Sequence, residues 1–154
     1  MIKILQNDDK YNAEKIVDHM MQEEFYKVFH CFYNTRTTPI LFNKLRPDGW
    51  FILHKDNHYD LLIIENKFKN IHENKGLEQA IKYYNIVQKN LEKQNKENNI
   101  NQNNNYFKKI IIPNFVNYYL IIGTGSNKTD FGYTIYINKN NQILKTNLSF
   151  NHFI

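Results

Sequence analysis

Asp48, Glu65 and Lys67 are the residues whose types and spacing could do chemistry together. Asp48 lies in Arg46-Pro47-Asp48-Gly49, directly before the apolar run Trp50 to Leu53, and Glu65 and Lys67 close a second run that starts at Leu61. The polar segment Lys55 to His58 between the runs reads as a hairpin turn, so the runs are expected to be paired strands. Side chains alternate across a strand, which puts Glu65 and Lys67 on one face and Asn66 on the other. The hairpin then brings Asp48 beside the strand end that carries Glu65. Two carboxylates make an oxygen-rich site for a hard divalent cation such as Mg²⁺, with Mn²⁺ able to substitute, and such ions take only a few protein ligands. The backbone carbonyl of Asn66 is a further candidate ligand. A cation held there would acidify a water and neutralise phosphoryl charge. Lys67 would hold the attacking water and add positive charge where anionic charge develops. The chemistry implied is phosphodiester hydrolysis.

Nearby acids are sorted by geometry. Asp60 is an odd number of residues from Glu65, which puts it on the opposite strand face, so it is assigned to the turn along with Asp56; Asp130 is likewise read as a turn acid. On the preceding helix Glu24 falls inside the apolar stripe of Val17, Met20 and Val28 while Glu23 falls outside it. An acid on a core-facing stripe needs a partner or a metal, so Glu24 is the candidate accessory acid of the metal site, its third carboxylate. His54 and His58 are read as solvated histidines and Gly123-Thr124-Gly125-Ser126 as a turn after a strand.

The elements that must position these residues follow from periodicity. Apolar residues from Ile16 to Phe32 recur at helical spacing and predict a first helix over about 12–33, with Asp8 or Asp9 available to cap it. Pro39 and Pro47 punctuate an irregular stretch with a short strand expected near Ile40 to Phe42. A second helix is predicted from about Gly76 to Lys93, burying Leu77, Ala80, Ile81, Tyr84, Gln88 and Leu91. Residues 93–105 are rich in Asn and nearly devoid of apolar groups, so a mobile loop or frayed helix end is expected there. Strand-like runs follow at 109–112, 118–122, 133–138 and 143–148. The expected fold class is α/β, a mixed sheet with helices packed on it.

Composition bounds the rest. The chain has 154 residues, enough for one domain over 1–154. A formal charge of +5 and a pI near 9.1 suit a polyanionic partner, and because Arg occurs only at Arg36 and Arg46 the contacts expected are point charges on phosphate rather than bidentate base reading. Cys31 is the only cysteine, which excludes an internal disulfide and a cysteine-based zinc site and points to a reducing, intracellular setting. No apolar stretch approaches membrane-spanning length, so no membrane partner is expected. Heavy use of Asn, Lys and Ile suits an A/T-rich genome, such as that of a large DNA virus.

Pro47-Asp48 and Glu65-Asn66-Lys67, in this context, resemble the two signature elements of the PD-(D/E)xK nuclease superfamily. The wording Arg-Pro-Asp-Gly and Ile-Ile-Glu-Asn-Lys is similar to the branch with type I restriction subunit nuclease domains and small viral relatives. The resemblance covers about residues 12–122. It implies a restriction-endonuclease-like αβββαβ core, here with extra C-terminal strands, and a Mg²⁺-dependent nuclease acting on DNA rather than RNA. Many members carry Gln-x-x-x-Tyr on the following helix, matched by Gln79-Ala80-Ile81-Lys82-Tyr83, so Gln79 is the expected polar contact to the catalytic strand or a phosphate, with Tyr83 expected to pack. A homodimer is open, since nucleases of this size commonly pair to cut two strands. The competing reading is a catalytically inactive module of the same fold that binds nucleic acid or a protein partner.

Overall fold

The structure is a computed structural model that describes residues 2–100 and 111–154, with side chains described from residue 13 onward. Helix α1 (Ile2–Phe29) is followed by a single helical turn, α2 (Pro39–Phe42), and by strands β1 (Gly49–Lys55) and β2 (His58–Phe68). A 3₁₀ turn at Asn70–His72 leads into helix α3 (Glu73–Ile100). Strands β3 (Phe115–Gly125), β4 (Gly132–Lys139) and β5 (Gln142–Lys145) and a last 3₁₀ turn at Phe150–Phe153 complete the chain.

The five strands form one mixed sheet in the order β1-β2-β3-β4-β5. Only the β2–β3 pair is parallel, and α3 is the crossover that a parallel pair requires. This pair is covered on both faces, which is why Leu61 to Ile64 and Leu120 to Ile122 read as unbroken apolar runs and are fully buried. On one face Leu61, Ile63, Leu120 and Ile122 pack under Ala80, Val87 and Leu91 of α3. On the other, Leu62, Ile64, Ile121 and Ile135 pack against Met21 and Phe25 of α1. Phe25 centres a ring cluster there, 4.2 Å from Phe29, 5.0 Å from Phe51 and 5.5 Å from Phe150 between centroids. The chain after Gly123 thus extends the sheet and returns Phe150 and Phe153 to close the α1 face.

Several expectations are corrected. Ile40 to Phe42 is helical: Pro39 occupies the first turn, where its fixed φ suits a helix, and the Asn43 N–H donates to the Pro39 carbonyl at 3.0 Å. Two strands therefore precede α3, where an αβββαβ core has three. Helix α1 starts at Ile2, so Asp8 and Asp9 lie within it rather than at its start. Its Val17, Met20, Met21 and Phe25 are buried and its Ile16 is exposed, while Phe32, also exposed, lies beyond the helix end at Phe29. Residues 93–100 are helical because Gln94 anchors them: its side chain accepts from the Ile111 and Ile112 N–H groups and donates to the Ile112 carbonyl at 2.7 Å. Those bonds also hold residues 111 and 112 outside any strand, while 101–110 lie outside the described residues. Among the described residues no helix is long and apolar enough to cross a membrane.

Candidate functional site

The β1–β2 hairpin pairs Gly49 with Ile64, so the residue before Gly49 meets the residue after Ile64. Asp48 and Glu65 therefore converge, on the face under α3. Glu65 is only 3% exposed. Burial pushes its carboxyl up to about 10, the Asp48 carboxylate alongside adds to the shift and Lys67 opposes it. Lys67 shares that face, is half-buried and forms no ion pair among the described residues. Helix α3 comes down on it through Gly76, where a Cβ would sit 2.8 Å from Ile122 Cγ2 and 3.2 Å from Lys67 Cγ. Glycine is what lets the helix begin this close to the strand end.

Asn66 faces the other way; its backbone N–H and its side-chain Nδ2 find partners, while its Oδ1 is buried with no hydrogen-bond partner among the described residues. Its N–H donates to Asp48 Oδ2 at 2.7 Å. Its Nδ2 donates to Asp18 Oδ1 on α1, also at 2.7 Å. One residue thus ties the first helix to the Asp48 carboxylate. A strand residue's N–H and C=O point to the same flank, so the Asn66 carbonyl lies on the Asp48 side, beyond the last β1–β2 pair. Gly123 makes room for the amide, since a Cβ there would come within 2.5 Å of both Asn66 Oδ1 and Met21 Cε.

Asp18 is the acid that the first helix brings to this end of the sheet, in place of Glu24. Burial raises its carboxyl to about 6; the neighbouring Asp48 and Glu14 charges add to this, while the Asn66 hydrogen bond and Arg46 act against it. Asp18 also borders a groove of about 520 Å³ that His19, Gln22, Glu23 and Lys128 help to line. Glu24 instead pairs with Lys27 one turn along at 2.9 Å and remains partly exposed. The helical angle identifies a face but not the height along the helix at which the strand end is met, and Asp18 is at that height. The signal that could have found it is Asn66, a buried amide that needs an acceptor from the opposing helix.

From α3 the residue that reaches the site is Tyr83 rather than Gln79. Gln79 is exposed and its side chain makes no hydrogen bond among the described residues. Tyr83 donates its O–H to the Arg46 carbonyl at 3.2 Å and packs edge-on against Phe42, 5.9 Å between centroids. Its phenol is raised to about 12 by burial, with Glu65 and Asp48 close enough to add to the shift. Val87, outside the predicted apolar face, is fully buried, which centres that face closer to Tyr83.

Asp60 belongs to β2 and not to the turn. It is 2% exposed and accepts from the Asn117 N–H at 3.1 Å and Asn117 Nδ2 at 3.0 Å, with His58 Nε2 at 3.4 Å. It lies on the α1 face, as its parity with Glu65 requires. His54 stacks on Tyr59, Asp56 sits in the hairpin turn with φ 43°, and Asp130 closes the loop after β3 by accepting from Ser126 and Asn127.

Among the described residues no three His, Cys, Asp or Glu side chains form a ready-made metal cage. The donor set at the strand end is Asp48, Glu65 and the Asn66 carbonyl, all oxygen, and a buried carboxylate (Glu65) set against a half-buried one (Asp48) is relieved by a cation between them. No family model, curated protein or solved structure matches this chain.

Proposed function

We propose that this chain is a metal-dependent nuclease that hydrolyses DNA phosphodiester bonds on a restriction-endonuclease-like sheet. The observation that carries the reading is the convergence of Asp48 and Glu65 at one strand end, with Lys67 on the same face and close enough to act on Glu65. Asp48, Glu65 and the Asn66 carbonyl would hold Mg²⁺ or Mn²⁺, an ion that when bound supplies an acidified water and neutralises phosphoryl charge. Lys67, on the same face, would orient the attacking water and stabilise developing negative charge. The Asn66 N–H fixes Asp48 Oδ2, and Tyr83 closes the site on the α3 side.

Single-stranded, double-stranded and branched DNA would be incubated with the protein in Mg²⁺ and in EDTA. Wild type should cut at least one of them in Mg²⁺ alone, and Lys67→Ala should cut on the order of 10²–10³ more slowly. No cutting of any substrate, or equal cutting in EDTA, would end the reading. Tight DNA binding without cutting, unchanged by Asp48→Ala, would instead favour an inactive binding module.

A further inference from the structure

Helix α3 leaves the site end of the sheet at Gly76 and runs back across β2 and β3, with Gly76, Ala80, Val87 and Leu91 turned to the core. At about 100° per residue, Lys75, Lys82, Lys89, Lys93 and Lys96 all fall within roughly 60° of one another on the opposite, outward side. All five are exposed. None forms an ion pair among the described residues. Glu78 is the one acid in that sector and Glu92 and Glu97 flank it about 40° outside, so lysines outnumber acids by five to three along a ridge whose 21 steps of 1.5 Å span about 32 Å. Tyr83 lies about a quarter-turn around the helix, on the flank that meets Arg46 and Glu65. The ridge therefore starts beside the site and leads away from it.

We infer that this ridge is the docking track for the backbone of a DNA strand whose scissile phosphate lies at Asp48 and Glu65. Lysine ammonium groups on flexible stems, spaced by about two helical turns and in no ion pair among the described residues, contact phosphates without reading bases. The track covers roughly nine nucleotides at 3.4 Å per step. The direction in which the strand runs rests on the nuclease reading; the binding does not.

Binding of a labelled DNA of about 20 nucleotides would be followed in EDTA across a salt series, for wild type and for Lys82→Ala/Lys89→Ala/Lys96→Ala. The ridge variant should bind at least about tenfold more weakly, and its log–log salt slope should fall by roughly 2–3, at 0.7–0.9 for each lost phosphate contact. A control with the same charge removed elsewhere, Lys27→Ala/Lys128→Ala/Lys139→Ala, should keep both. If the triple variant fails to fold, Lys82→Ala and Lys89→Ala alone should each lower the slope by about 0.7–0.9. Equal losses in ridge and control variants, an unchanged slope in the ridge variant, or equally tight ridge-dependent binding of poly-glutamate would overturn the inference. Ridge-dependent binding with no cutting in Mg²⁺ would remove the nuclease reading and leave the track. Cutting with binding indifferent to the ridge would do the reverse.

Discussion

Asp60 and Glu65 lie five residues apart on strand β2 and are exposed to only 2% and 3%, yet their surroundings are opposite in kind. Asp60 is met by donors: the Asn117 backbone and amide and, further off, His58. Glu65 is met by a second carboxylate, Asp48, with Lys67 on the same face and Tyr83 above it. A buried acid whose acceptor oxygens are filled by fixed donors holds two strands together, here β2 and β3. A buried acid set against another acid costs stability in the folded protein, and such an arrangement is retained where it does something other than stabilise.

The contrast breaks most visibly under substitution. Glu65→Gln should reduce cleavage by on the order of 10²–10³, the scale of losing one group that acts on the transition state, while the metal-free protein at pH 8 melts at or above the wild-type temperature. Asp60→Ala should do the opposite. It strands the Asn117 donors in the interior, at a cost of about 1–3 kcal/mol in chemical denaturation, and leaves cleavage per folded molecule near wild type.

A smaller effect appears in the pH dependence of stability. The Glu65 carboxyl rises from 4.5 to about 10 on folding and Asp18 from 3.8 to about 6. Between the unfolded and folded values the folded chain keeps a proton that the unfolded chain has lost, so stability falls as pH rises through that window. Metal-free wild type should therefore melt progressively lower from about pH 5 to 10, with the Asp18 part complete near pH 6. Glu65→Gln should flatten the upper part of the curve; a wild-type profile that is already flat there would contradict the carboxylate pairing. The smallest effects belong to the residues that sequence reasoning favoured and the fold leaves aside. Glu24→Ala and Gln79→Ala should each shift stability by no more than about 0.5 kcal/mol and leave cleavage unchanged in the same assays.

What could be read from the sequence was whatever a strand period or a hairpin decides. Asp48 beside Glu65, Lys67 on the same face and Asn66 on the other all follow from alternation and a short turn, and so does the separation of Asp60 from the site. Placement between distant elements could not be read. Glu24 and Asp18 both lie on α1, and only the height at which that helix crosses β2 selects Asp18. Gln79 and Tyr83 are one turn apart on α3, and the close approach at Gly76 rolls Tyr83 toward Glu65. Local composition misled at Ile40 to Phe42, where Pro39 starts a helical turn, and at residues 93–100, where a single glutamine side chain supplies the anchor that apolar groups do not.

The central claim is that the Asp48–Glu65 pair is a cation site. Anomalous diffraction from crystals grown in Mn²⁺ tests it most directly. The account predicts a peak between the two carboxylates, within coordination reach of the Asn66 carbonyl, that disappears in Glu65→Gln. Carboxylates still in contact with each other at saturating Mn²⁺, with no peak between them, would contradict it.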